Sequence, residues 1–151
     1  MRVSAKVDYA VRALAELAAA GGSPLKGDAI ARAQQIPLKF LENILSDLRR
    51  AGVVNSQRGT TGGYWLVIPP ERITIADVIR AVEGALADVR GEPPEEIVYS
   101  GSATALQEVW VATRAALRSV LEVVTIADVA SGHPPEVVTR LTSDPDAWVR
   151  R

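Results

Sequence analysis

Three polar side chains stand close together in one stretch of this chain: Lys39, Glu42 and Asn43. A lysine ammonium only donates hydrogen bonds, a carboxylate only accepts them, and a primary amide does both. Their spacing of three and one residues places them on one side of a helix. Leu38, Leu41, Leu45 and Leu48 repeat at three, four and three residues and mark the opposite, apolar side. Mixed donors and acceptors on a rigid helix suit the edges of paired bases. Lysine can donate to guanine, glutamate can accept from cytosine, and asparagine can bridge adenine.

A second group follows in Arg58-Gly59-Thr60-Thr61-Gly62-Gly63. Here one guanidinium and two hydroxyls ride a glycine-rich tip between apolar segments. That composition suits a loop lying against a phosphate backbone or in a narrow minor groove. Thr60 and Thr61 are expected to donate to phosphate. Arg2, Lys6, Arg12, Arg49 and Arg50 are further candidates for phosphate neutralisation, which supplies affinity without sequence information. Each of them also has a plainer reading as a solvated surface charge.

The charge distribution agrees with an anionic partner. The net charge of the 151-residue chain is −1, but residues 1–65 hold nine Lys and Arg against five Asp and Glu. Residues 66–151 hold eight against thirteen, so the first half is basic and the second acidic. Composition also excludes chemistry. The sequence has no cysteine, one histidine (His133) and one methionine (Met1), so disulfides, thiolate metal sites and cysteine nucleophiles are out. Gly59 to Gly63 lacks the Lys-Ser/Thr of a phosphate-binding loop and opens a strand, not a helix. No nucleophile–base pair stands out, and an enzyme is not expected. No apolar run approaches the roughly 20 residues of a membrane helix, and an acid, Asp8, precedes any apolar stretch, unlike a secretory signal. A cytoplasmic protein without a membrane partner is expected.

The elements that must hold these groups can be read from periodicity. A first helix is predicted over 4–20, capped by Ser4 and stopped by Gly21-Gly22-Ser23-Pro24. A short second helix over 28–34 turns Ile30 and Ala31 inward. Pro37 opens a third over 37–51, ended by Gly52. Two short helices joined by a tight turn make a helix-turn-helix. Strands over 53–57 and 64–68, with the glycine-rich tip between them, add a wing. Thr74-Ile75-Ala76-Asp77-Val78 starts a fourth helix with a capping box that uses Asp at the usual Glu/Gln position. The same five residues recur at 125–129 and read as the same helix-start chemistry used twice.

A long helix is predicted over 102–124. Leu106, Trp110, Thr113, Leu117, Val120 and Val124 form a heptad seam that needs a partner. The simplest partner is the same helix of a second copy, so a homodimer is expected; the alternative is packing on the chain's own first helix. A tail follows, with a short helix near 136–141 and Trp148 as an apolar anchor. The expected fold is mostly α with a small β-wing: a winged helix-turn-helix domain plus a long dimerisation helix. Its segments are a DNA-binding domain over 1–84, a loop over 85–101, the dimerisation helix over 102–130 and the tail over 131–151.

The chain resembles the IscR/NsrR-type (Rrf-two) family of bacterial winged-helix transcription regulators. The resemblance rests on Asp8-Tyr9-Ala10-Val11-Arg12-Ala13-Leu14, Ile30-Ala31, Ile36-Pro37-Leu38-Lys39-Phe40-Leu41-Glu42-Asn43-Ile44-Leu45, Leu48-Arg49-Arg50-Ala51-Gly52-Val53-Val54, Arg58-Gly59 with Gly62-Gly63-Tyr64, and Ile73-Thr74-Ile75-Ala76-Asp77-Val78. It implies a homodimeric repressor on a pseudo-palindromic operator. The third helix would enter the major groove of double-stranded DNA, the wing would reach the minor groove, and the loop over 85–101 would be of sensor type. Many relatives hold an iron–sulfur cluster through three cysteines before the long helix. Those positions hold Glu92, Val98 and Thr104 here, so no cofactor is expected. Asp8 matches a carboxylate that some relatives contribute from the partner subunit, but a helix-start acid or salt bridge is its simpler role.

The signal stays open between a small molecule near residues 87–104, a protein effector, and no effector at all. Tyr9, Trp65, Tyr99 and Trp110 are candidate aromatic walls for a ligand, and Glu92, Glu95, Glu96 and His133 are weak metal donors. The rival reading of the whole chain is a dimeric interaction or ligand-binding module that has lost DNA binding.

Overall fold

In the computed structural model, residues 2–150 are described. Met1 and Arg151, at the outer ends of the first and last segments read from the sequence, lie outside the described residues. Seven α-helices and one two-stranded sheet make up the described chain, with 3-10 turns between them. The helices are α1 (Ala5–Ala19), α2 (Gly27–Gln34), α3 (Leu38–Arg50), α4 (Ile75–Val82), α5 (Leu106–Leu121), α6 (Ile126–Ser131) and α7 (Glu136–Thr142). The strands are β1 (Val54–Gln57) and β2 (Gly63–Leu66).

The central helix is α1, packed against α2, α3, α4 and α6. Its start is set by Ser4, whose Oγ accepts from the Val7 amide at 3.1 Å. Val7, Ala10, Ala13, Leu14 and Leu17 form its buried stripe, and the two alanines leave room for close helix contacts. On α3 the buried side chains are Leu41, Ile44, Leu45 and Leu48, all with no exposed surface. Burying each is worth roughly 2 kcal/mol, so rotating α3 about its axis would be costly. Leu38 departs from the predicted stripe: it sits in the first turn, on the flank of the helix, and remains 42% exposed.

The strands pair antiparallel, Val54 opposite Leu66 and Gln57 opposite Gly63. A short bridge adds the chain after α1, because Leu25 and Tyr64 exchange both backbone bonds, at 2.9 and 2.7 Å. Two glycines are required here. A Cβ at Gly62 would lie 2.0 Å from the Gln57 carbonyl oxygen, and at Gly63, where φ is +150°, it would lie 2.6 Å from that of Leu25.

Both predicted capping boxes form, and the two repeated pentapeptides meet. Thr74 pairs with Thr125 in an isolated antiparallel bridge. The Ile75 amide donates to the Val124 carbonyl at 3.0 Å, and the Ile126 amide to the Ile73 carbonyl at 2.9 Å. This joint changes the expected long helix. The segment 102–130 is not one helix: a 3-10 turn occupies Gly101–Ala103, α5 ends at Leu121, and α6 turns back onto α1. Val124 therefore leaves the predicted seam. It lies beyond α5 and is buried in the chain itself, at 9% exposure. No residue of α5 is buried. Trp148 does not anchor the tail: it is 77% exposed, and its indole N–H donates to the Thr142 carbonyl at 2.8 Å.

Candidate nucleic-acid interface

Because the apolar side of α3 is fixed in the core, its other side is presented outward. Lys39, Glu42, Asn43, Ser46 and Arg50 are all exposed there. The wing tip carries Arg58, Thr60 and Thr61, also exposed. Between α3 and the wing lies a cleft of about 510 Å³, lined by Lys26, Gly27, Arg49, Ser56, Gln57, Arg58 and Tyr64 among others.

Three features make this cleft electropositive. Lys26 reaches across it, with its Nζ donating to the Gly59 carbonyl at 2.5 Å. Arg49 Nη1 donates to Ser56 Oγ at 3.2 Å, which fixes the guanidinium against β1. The first turn of α2 opens onto it at Gly27, and its N-cap, Lys26, makes no side-chain capping bond. Free amides and the positive end of the helix dipole favour an anion at such a place. Sequence reasoning missed Lys26, which lies more than 30 residues from the wing and reaches it only through the Leu25–Tyr64 bridge. A lysine at an N-cap, where Ser, Thr, Asp or Asn is usual, was the available signal.

Other expected phosphate ligands are engaged inside the chain. Lys6 Nζ pairs with Asp47 at 2.8 Å and donates to the Val82 carbonyl at 2.7 Å, joining α1, α3 and α4. The hydrogen bond from Lys6 to Asp47 is the main reason that the Asp47 carboxyl titrates below its ordinary range. Arg12 pairs with Asp8 at 3.0 Å, bonds the Gln34 side chain at 3.1 Å and its carbonyl, and lies 5.2 Å over the Tyr9 ring. Asp8 thus takes the simpler role, as an i,i+4 ion pair. Arg2 sits beside Val3, Ile79, Glu83 and Leu117, where α1, α4 and α5 converge.

The aromatic residues are distributed over the fold. Tyr9 meets Phe40 edge-on at 5.7 Å, Trp65 lies on β2, and Trp110 lines an apolar cleft with Ala87, Val89, Thr113 and Leu117. The four acidic and histidine donors do not assemble either. Glu95 is paired with Arg114 at 2.6 Å, and among the described residues no group of three or more His, Asp or Glu could hold a metal ion.

Comparison with known proteins places these observations. Residues 3–132 match the family model Rrf2, described as an iron-dependent transcriptional regulator. Rv1287 of Mycobacterium tuberculosis, named an HTH-type transcriptional regulator, is 52% identical over 145 residues, which cover 95% of this chain and 90% of that protein. The HTH-type transcriptional regulator CymR of Bacillus subtilis is 36% identical over 132 residues, covering 87% and 91%. The solved structure of CymR, called the global cysteine regulator of B. subtilis, superposes with a TM-score of 0.73 at 34% identity, covering 87% of this chain and 97% of that one. IscR of T. potens superposes at 0.67 with 29% identity, covering all of this chain and 93% of that one. These likenesses carry the winged-helix regulator fold.

The iron in the family description meets no fitting donor set here. The sequence has no thiolate to offer. Val98 has no donor atom, and the Thr104 hydroxyl already donates to the Gly101 carbonyl at 2.7 Å.

Proposed function

The chain belongs to the Rrf2 family of transcriptional regulators and is not an enzyme; from that premise we propose that it acts as a cytoplasmic, homodimeric repressor that grips a pseudo-palindromic operator without an iron–sulfur cluster. The reading rests chiefly on one observation: Lys39, Glu42 and Asn43 share the outward side of a helix whose inward side is completely buried. In this account α3 lies in the major groove. Lys39 reads guanine, Glu42 reads cytosine and Asn43 reads adenine.

Arg58 extends from the wing into the adjacent minor groove, while Thr60, Thr61 and Arg50 donate to phosphates. Lys26, Arg49 and the first turn of α2 cradle one further phosphate at the mouth of the wing. Lys6 and Arg12 stay outside this set, because internal partners match their charge and hold them largely against the fold, whereas Arg50, though paired with Asp47 at 3.2 Å, keeps a side chain that is 78% exposed. The second copy covers α5 through Leu106, Trp110, Thr113, Leu117 and Val120. A helix with no fully buried residue, on which Val109 and Trp110 stay exposed, supports that role, since a monomer leaves part of its apolar face in water.

Selection of bound sequences from random duplexes tests the reading. A two-fold symmetric consensus with half-sites one helical turn apart is expected. Enrichment of no sequence, with binding indifferent to salt, would refute it in favour of an interaction module that has lost DNA binding.

A further inference from the structure

We infer that the cleft between α4, the loop 85–97 and α5 is a binding site for a small molecule carrying two anionic groups, carboxylate or phosphate, which enters by displacing Glu95 from Arg114. This goes beyond the DNA reading and does not depend on it. The cleft measures about 390 Å³, and its lining brings together Arg80, Arg114 and Arg118 over an apolar floor that includes Leu86 and Pro93. A volume of that order suits a small metabolite.

The three guanidiniums are unequally occupied. Arg80 and Arg118 share the Glu122 carboxylate at 2.5 and 2.9 Å, and Arg80 also pairs with Asp77 at 3.4 Å. Arg114 is held by Glu95 alone, at 2.6 Å, with its own side chain only 20% exposed. Glu95 belongs to a 3-10 turn, Pro94–Glu96, and its side chain is 54% exposed, so it can swing into water without disturbing the core. Arg114, and at longer range Arg118, hold the Glu95 carboxyl below its usual range, so the site already stabilises one carboxylate.

A free ligand carboxylate or phosphate can make the same charge-assisted pair with Arg114. A second anionic group then meets Arg118, whose side chain is 51% exposed and shares Glu122 with Arg80, a guanidinium that Glu95 does not pair with. Two anionic groups are therefore favoured over one. Asp88, also in the lining, disfavours a third. Because Arg80 lies on α4 and Arg114 on α5, an occupied cleft would staple the winged domain to the helical spine.

Calorimetric titration of the full chain with succinate and with inorganic pyrophosphate, at fixed ionic strength, tests the site; 1,4-butanediol serves as the uncharged analogue of succinate. At least one anion should bind and the diol should not; which anion binds identifies the head group. Arg114→Gln and Arg118→Gln should each weaken binding about tenfold, with unchanged circular dichroism. Glu95→Gln, which removes the competing carboxylate, should tighten it about threefold. The inference fails if neither anion binds the wild type or Glu95→Gln. It also fails if the arginine variants bind as the wild type does, or if Glu95→Gln leaves the affinity unchanged.

Discussion

Thr74 and Thr125 face each other across an antiparallel bridge, each capping its own helix while its neighbours exchange backbone hydrogen bonds. Thr74 Oγ1 accepts from the Asp77 amide at 3.1 Å, and Thr125 Oγ1 from the Asp128 amide at 3.2 Å. The Thr74 and Thr125 amides in turn donate to the Asp77 and Asp128 carboxylates at 3.0 and 2.7 Å. The two copies of one pentapeptide thus form a local near-symmetric joint that ties α4 to the segment following α5.

Breaking this joint should cost stability in proportion to burial. Thr125→Ala removes a cap and should lower the unfolding free energy by about 1 kcal/mol. Ile126, fully buried beside that cap, should cost roughly 2–5 kcal/mol when cut to alanine. Urea unfolding followed by circular dichroism gives both values. Equal losses for the two variants would contradict the placement of Ile126 in the core.

The Lys6–Asp47 pair makes stability depend on pH. Because the folded protein holds the Asp47 carboxyl below its ordinary range, the unfolded chain takes up a proton there first as pH falls. The pair's contribution is therefore complete above the ordinary carboxylate range and disappears as pH drops through the lowered value. Asp47→Asn should be less stable than the wild type by about 1 kcal/mol at pH 7. That gap should narrow as pH falls below the ordinary carboxylate range and through the lowered value. A gap that widened in acid would mean that the pair does not form.

These two regions show what the sequence makes legible. Helix positions and caps were readable, because 3.6-residue periodicity and capping chemistry are local. The wing was readable because glycines at Gly62 and Gly63 are needed where backbones nearly touch. The meeting of the two pentapeptides was not, since nothing in a repeated cap says that its copies are neighbours. Lys6 looked like a phosphate ligand because its partners lie 41 and 76 residues away. The same limit hid Lys26, and it left Val124 in a heptad that the chain breaks to bury it. Of the interface, the outward side of α3 was legible and the cleft beside it was not.

At the wing, Arg58→Ala should lower operator affinity by about 1–3 kcal/mol and make the salt dependence shallower. Lys26→Ala should weaken operator and random duplexes alike, because it meets only phosphate. Mobility shifts over a salt series separate the two. Unchanged operator binding by Arg58→Ala would remove the wing from the interface.

On α3, Glu42→Ala should change which base is preferred at one position in each half-site, while total affinity moves little. Sequence selection repeated with the variant reads this directly. An unaltered consensus would show that Glu42 faces no base edge.

The central claim is that two copies of the winged domain, held by α5, bind one duplex together. Sedimentation of the full chain with its selected duplex tests it most directly. Two chains per duplex are expected, and Trp110→Asp, which places a charge on the exposed face of α5, should give monomers that lose operator affinity at least a hundredfold. One chain per duplex at undiminished affinity, in the wild type or in that variant, would contradict the account.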